Sequence, residues 1–530
     1  MKIRIINYGI LLSLLLFFIL IIKISIVGYQ DSDDYVFSCI TSGAYSGNPS
    51  PMTVFEGYFF SHLVAGLYSL LPWNVEWYAL IFHFFYLFSY AVIIWKLLES
   101  NLCWKIKWVV ILASAPLEIY LLISPQFTIL PAVLTLASYV LLLSNSPKIS
   151  DYVLAAFLIF TATQIRTSSV ELIILLMAPL FFLPIKLKKK MYYVKVLFLI
   201  SVVIGSIHIG KMTRTSYYVN DDWKSFMEYN KFRGSLQDNV YKYRALSIFS
   251  DDVKRDEYMM LCKAGLVDGQ LLSLQDLKSC KEFIQQYKVD IFFKNLKPYL
   301  KGYFFQGILI LVFWMLYLLI ESVVKRKRWD TFILLLTAMA FVAANLYCMN
   351  SSRVKERIII DMMLTLYIVA AYETYRLLNE RKILVVACVV GFLTFSVNIW
   401  KCWSWEINMS KRLQESEEVN VILSKVESPK LHYITTKVPQ VADIYDASET
   451  PCITKYIGKG WLSNFPLHKA YYNHYPSLVN GVPILMEKGN IKNLEIVEYA
   501  LKKYYNIETK RKRLASSDHY DIIQLVSLED

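Results

Sequence analysis

Four stretches of this chain, Ile10–Ile22, Ala79–Trp95, Leu197–Ile207 and Phe332–Tyr347, contain no Asp, Glu, Lys or Arg. A helix needs about 20 apolar residues to cross a bilayer, and hydrocarbon tolerates no unpaired backbone group. Composition points the same way: of 530 residues, 56% are hydrophobic and 19% charged, where soluble domains carry about a quarter charged. The expected fold is an all-α polytopic membrane protein.

A formal net charge of +13 raises the question of nucleic acid, but the distribution of the charge answers it. The basic residues sit in short runs between apolar segments, such as Lys186, Lys188, Lys189 and Lys190, or Lys325, Arg326, Lys327 and Arg328. That is the pattern of cytoplasmic loops, so no nucleic-acid partner is expected.

Lys2 and Arg4 precede the first apolar run, which has no small-residue cleavage site and reads as an uncleaved span with its N-terminus inside. Tyr29 to Trp73 contains no Lys or Arg and reads as the first outward loop. Its second half, Phe55–Leu71, is interrupted by Glu56, Gly57, His62 and Gly66, and fits an interfacial helix better than a span. With that choice the second span runs over Trp77–Leu97. Further spans fall near 108–124, 126–143, 151–166, 168–185, 192–210, 303–320, 330–349, 357–375 and 383–401. The total is about eleven, and every long basic run then faces the cytoplasm.

Four regions follow: a membrane module over 1–210 whose acidic first loop is 28–74, an outward loop over 211–302, membrane helices over 303–402, and an extracytoplasmic α/β domain over 403–530. The loop has helical patterning at Asp252–Lys263 and Ser273–Lys288. The last region has strand-like runs at Val419–Leu423 and Ile522–Val526, with a helix at Ile491–Tyr504 between them. The Lys, Ile and Tyr usage fits a bacterium with an AT-rich genome. The expected location is therefore the bacterial cytoplasmic membrane, N-terminus inside and C-terminus outside. Cysteine decides nothing: eight are scattered without a C-x-x-C, and Cys262 and Cys280 read equally as a pair or as two thiols.

Chemistry concentrates in the first loop. It opens Tyr29-Gln30-Asp31-Ser32-Asp33-Asp34-Tyr35, three carboxylates within four residues at the end of a span. Such a cluster repels itself unless a proton or cation is shared. The ordinary alternative is a solvated helix start, since Asp33 and Asp34 precede a helical stretch over Tyr35–Ala44.

The loop as a whole resembles the first loop of the GT-C membrane glycosyltransferases, which include the protein O-mannosyltransferases and the lipid A aminoarabinose transferases. The residues that carry the likeness are Asp33-Asp34-Tyr35, Ser42-Gly43-Ala44-Tyr45, Asn48-Pro49-Ser50-Pro51, and Leu63–Pro72 leading into Trp77-Tyr78. The long loop after the seventh span and the outward C-terminal domain match that architecture. Tyr229-Asn230-Lys231-x-Arg233-x-x-x-x-Asp238 also resembles bacterial membrane proteins of surface-polysaccharide type. The resemblance implies an inverting transferase that draws a polyprenyl-phosphate- or polyprenyl-diphosphate-linked sugar from the membrane and modifies a glycan or a lipid-linked acceptor outside. It implies Asp33 as general base. Asp34 would orient the acceptor or join Asp31 in holding a divalent cation, Mg or Mn; no metal is required by the residues themselves.

A phosphate-bearing donor needs cations outside the membrane. Arg353, Lys355 and Arg357 lie in an outward loop, against the positive-inside trend, and Arg353 and Arg357 share a helical face suited to gripping phosphate oxygens. An interfacial anchor paired with Glu356 is the plainer reading. Arg166, near the outer end of the fifth span, is a second candidate, because a charge within a span costs about 2.5–3.5 kcal/mol. Glu118 and Glu171 lie toward the same side. His62 is a weaker candidate for contact with donor or acceptor. No Gly-rich phosphate loop is present, which suits a lipid-linked donor. Competing functions are a polysaccharide polymerase, a lipid-linked oligosaccharide flippase or transporter, and a non-catalytic assembly protein. A flippase is disfavoured by the absence of inverted repeats, and a scaffold should tolerate Asp33→Asn.

Overall fold

The uncharged runs become helices long enough to leave their apolar side chains facing outward. In the computed structural model, α1 (Lys2–Ile24) buries Phe18 but exposes Leu12, Leu16, Phe17, Ile19 and Leu20. In water such a surface would be an association site; along a span it is the lipid face. The structure describes residues 2–30, 32–71, 74–143, 148–180, 190–263, 265, 267–287, 296, 300–301, 308–350, 356–426, 431–433, 456–457, 460–462, 464–468, 475–481 and 483–528.

The acidic loop folds into two short helices, α2 (Ser32–Ser42) and α3 (Tyr58–Leu70). At 13 residues, α3 spans about 20 Å, too short to cross a bilayer. The helices that follow are α4 (Trp77–Glu99), α5 (Trp104–Ile123), α6 (Ile129–Leu143), α7 (Ile149–Met177) and α8 (Lys190–Tyr217). After the soluble loop come α12 (Ile308–Val324), α13 (Arg328–Asn350), α14 (Glu356–Leu377) and α15 (Glu380–Leu423). Among the described residues eight helices are long and apolar enough to cross a membrane, and Ile129–Leu143 and Leu309–Val324 are shorter apolar helices. The chain is a multi-pass membrane protein.

One of the eight is two segments. Arg166 interrupts α7 with φ −155° and ψ 102°. The carbonyl of Gln164 accepts from the Gly57 amide of the acidic loop at 2.6 Å. Gly57 allows this approach, since a Cβ there would stand 2.5 Å from that oxygen. The half before the break runs in the same direction as α8: Tyr152 packs edge-on against Phe198, and Gln164 Nε2 donates to the Ser206 carbonyl. Two neighbours in the same direction require the chain to return between them. Elsewhere, α1 opposes α4, with Tyr8 on Trp95 and Phe18 on Tyr90. Helix α15 follows α5, with Gly391 against Ala113 and Lys401 over Tyr120. These relative directions are the ones that the alternation of basic runs requires.

The loop after α8 holds α9 (Asp221–Gln237), a 3-10 turn at Lys242–Ile248, α10 (Asp252–Cys262) and α11 (Leu274–Gln285). The last two are where sequence patterning puts helices. Cys262 and Cys280 are free thiols buried in the core of this module.

A five-stranded sheet closes the chain, in the order β2-β1-β3-β5-β4. The strands are β1 (Leu431–Tyr433), β2 (Tyr456–Ile457), β3 (Ile484–Glu487), β4 (Thr509–Ser516) and β5 (Tyr520–Ser527). Alternation along β3 sends Ile484 and Met486 to α16 (Ile491–Tyr505), where they meet Leu494, Val497 and Leu501. Leu485 and Ile522 face the other way, against Val419, Ile422 and Leu423. The Val419–Leu423 run is therefore the end of α15, not a strand. Short apolar runs have no period that tells the two apart, and here the long helix continues out of the membrane to cap the sheet.

Candidate functional site

The site is built on the first turn of α2, where Asp33 and Asp34 complement the positive end of the helix. Being consecutive, they diverge. Half-buried Asp33 accepts at Oδ1 from Trp461 Nε1, 3.0 Å away. Fully buried Asp34 accepts at Oδ1 from the Phe127 amide at 2.8 Å and from the Tyr78 hydroxyl at 3.4 Å.

Two further carboxyls hold the loop in shape. Tyr78 also donates to Glu56 Oε1 at 2.7 Å, and burial pushes Glu56 up to about 7. Glu76 accepts from Tyr29 at 2.6 Å, from Tyr68 at 3.1 Å and from Ser38, joining α2, α3 and α4; burial raises it to about 7 as well. Buried hydrogen-bonded networks of this kind tie the segments they join to one another.

Phe127 links the acids to the cations. Its ring lies 5.1 Å from that of Phe37 on α2, and two guanidinium groups approach it: Arg166 at 4.7 Å and Arg357 at 5.5 Å. Arg166 sits at the break in α7, where its Nε donates to Ser168 Oγ at 3.3 Å. Arg357, mostly buried, begins α14. Buried Asp361 lies one turn further on, beside Ser169 and within the fields of both arginines.

Asp33, Asp34, Arg166 and Arg357 are thus brought together. Asp31, Arg353 and Lys355 lie outside the described residues. His62 is placed elsewhere: it stacks on Tyr58 at 3.9 Å, contacts Tyr217 at the end of α8, and its Nδ1 meets the Tyr58 carbonyl. Glu171 is exposed. Trp461, Phe127 and Glu76 carry no signal in sequence, and Glu56 reads only as an interruption of an apolar run.

Below the site, a cavity of about 990 Å³ runs between α4, α5, α6, α14 and α15. Its walls are chiefly apolar, including Leu117, Leu136, Ile360 and Tyr367, and Ile360 immediately precedes Asp361. Buried Glu118 is its one acidic group along α5. The volume is that of a pocket for a sizeable small molecule. Among the described residues no group of three His, Cys, Asp or Glu is arranged to hold a metal ion.

Fold and site together define a multi-pass membrane protein with a carboxylate and arginine cluster at one end of its helices and a soluble α/β part above it. Among solved structures, the protein is similar to ArnT from Cupriavidus metallidurans bound to undecaprenyl phosphate. That match covers 98% of this chain and 97% of that one, at 10% identity and a TM-score of 0.40. The apo state of the same protein matches over the same shares at 8% identity and a TM-score of 0.40. No protein-family model matches the sequence, and no curated protein does.

Proposed function

We propose that the protein is an inverting glycosyltransferase that takes a sugar from a polyprenyl-phosphate or polyprenyl-diphosphate carrier. The observation that carries this reading is the convergence of Asp34, the neighbour of Asp33 on α2, with Arg166 and Arg357 around Phe127, next to a chiefly apolar cavity of lipid-compatible size. The cavity suits an isoprenoid chain, and the guanidinium forks suit its phosphate. Asp33 takes the proton from an acceptor hydroxyl as that oxygen attacks the anomeric carbon. The bond to the carrier phosphate breaks with its electron pair on the phosphate, which Arg357 and Arg166 neutralise, joined by Arg353 and Lys355. One displacement inverts the anomeric centre. Asp34, held by Phe127 and Tyr78, orients the base. If Mg or Mn takes part, Asp31 and Asp34 are its ligands, and a chelator abolishes transfer.

In this reading the membrane is the bacterial cytoplasmic one, with the soluble parts outside and a surface glycan or lipid-linked molecule as acceptor. A flippase would need a polar route for a glycan headgroup, and the lining of the cavity is chiefly apolar. The test is complementation of a deletion strain with wild type or Asp33→Asn at equal expression, with surface glycan read by mass spectrometry. Loss of the sugar in the variant supports transfer; full restoration refutes it.

A further inference from the structure

The roof above Asp33 holds a charge that the transfer reaction does not use. Arg233 of α9 is more than nine-tenths buried. Its Nε donates to Asn230 Oδ1 at 2.8 Å and its Nη1 to Gln237, both on the same helix and both neutral. Among the described residues no carboxylate lies within ion-pair reach of it. Burial holds the guanidinium below its ordinary range, and the negative charge of Asp33 is the largest influence opposing that. Desolvating a cation without a counter-charge is unfavourable. Stapling two amides of one helix would not require a cation at all.

Beside Asp33 stands Trp461. Its indole N–H binds Asp33, and its ring, half-exposed, packs at 5.2 Å against Phe55, 5.5 Å against Phe465 and 6.1 Å against Phe37. Phe465 in turn meets Trp223 and Phe226 of α9. The amide of Gly460 donates to the Gly265 carbonyl, which ties the Trp461 segment to the long loop. Both roof residues therefore come from the soluble parts of the chain, whereas Arg166 and Arg357 come from membrane helices. A ligand met by Arg233 arrives from the water side.

We propose that Arg233 and Trp461 form the acceptor subsite, and that it takes a sugar carrying an anionic group, a carboxylate or a phosphate. The guanidinium fork receives the anion, the indole packs on the apolar face of the ring, and a hydroxyl of that ring is presented to Asp33. This proposal rests on the glycosyltransferase reading and names the substrate class at its site.

The test uses the full chain in lipid nanodiscs, with glucuronate, glucose 6-phosphate and glucose as probes and saturation-transfer NMR as readout. At least one anionic sugar binds about tenfold or more tightly than glucose, as one charged hydrogen-bonded contact implies. The two anionic arms separate a carboxylate from a phosphate. Arg233→Gln abolishes the preference, Arg233→Lys restores part of it, and Trp461→Phe weakens all sugars several-fold. Equal binding of the three probes to the unaltered protein overturns the proposal without any variant. So does a preference that survives in Arg233→Gln, or an Arg233→Gln protein that instead loses binding of undecaprenyl phosphate. Asp33→Asn separates the two ideas. If it restores the glycan while the anion preference persists, the transfer reading fails and the subsite stands. If the glycan depends on Asp33 and the preference is absent, only the subsite fails.

Discussion

Arg166 and Arg357 share one aromatic ring: their guanidinium groups lie 4.7 and 5.5 Å from the centre of Phe127, whose amide holds Asp34. A single residue thus sets the distance between the cations and the acidic turn.

Replacing Arg357 by Gln removes one charged grip on the donor phosphate. The expected loss in transfer is about tenfold or more, corresponding to about 1.5–3 kcal/mol for a charged hydrogen bond. It falls on donor KM. Arg357→Lys recovers only part, since a point charge replaces a fork. Steady-state kinetics over a range of lipid-linked donor decides it; an unchanged KM refutes it.

Phe127→Leu keeps the bulk of the site but removes the π face from both arginines. At about 0.5–2 kcal/mol for a cation–π contact, donor binding weakens several-fold while the protein stays folded. Comparing donor affinity with unfolding temperature for this variant checks both halves of the statement.

Stability responds to pH through Glu56. Burial raises its carboxyl from 4.5 to about 7, against hydrogen bonds from Tyr78, Thr53 and Ser61 that favour the charged form. The folded state therefore binds the proton more tightly than the unfolded one. Stability is fully present at acid pH and falls as pH rises from about 4.5 through about 7, by about 3 kcal/mol for this group. Glu76 acts in the same sense. Unfolding temperatures of the detergent-solubilised protein should drop between pH 5 and pH 8, less steeply in Glu56→Gln; parallel slopes would sink the assignment.

The long loop and the sheet are joined by buried acids. Asp268 Oδ2 accepts from the Tyr475 amide and the Tyr505 hydroxyl, each at 2.8 Å, and Glu257 Oε2 accepts from the Tyr475 hydroxyl at 2.7 Å. Asp268→Ala removes the acceptor of both bonds, at about 1–3 kcal/mol for the buried one at Tyr475. Limited proteolysis should then cut faster between the two parts, and cleavage at the wild-type rate would show the junction to be held by packing alone.

Much of the membrane architecture was legible because hydrophobicity acts locally. Uncharged runs such as Phe332–Tyr347 must form helices in hydrocarbon whatever surrounds them, and the basic runs orient them. Reading Phe55–Leu71 as a non-spanning helix kept the later spans in register, and the short α3 accords with it. The divided α7 was legible from the length of its apolar stretch, but not the cause of its break. That lies in Gly57, a residue more than 100 positions earlier whose amide takes the Gln164 carbonyl.

The sequence by itself determined that the chain spans a membrane many times and that Asp33 and Asp34 stand at the end of its first span. It also marked Arg166 and Arg357 as cations in costly places. Only the tertiary structure decided that Asp34, Arg166 and Arg357 meet at Phe127, that His62 belongs to a separate aromatic cluster, and that Trp461 reaches Asp33 across 428 positions. The physical reason is range. Burial preference and helix-end charge are properties of a residue and its near neighbours, whereas a hydrogen bond or a cation–π contact exists only once packing has brought distant segments within a few ångströms.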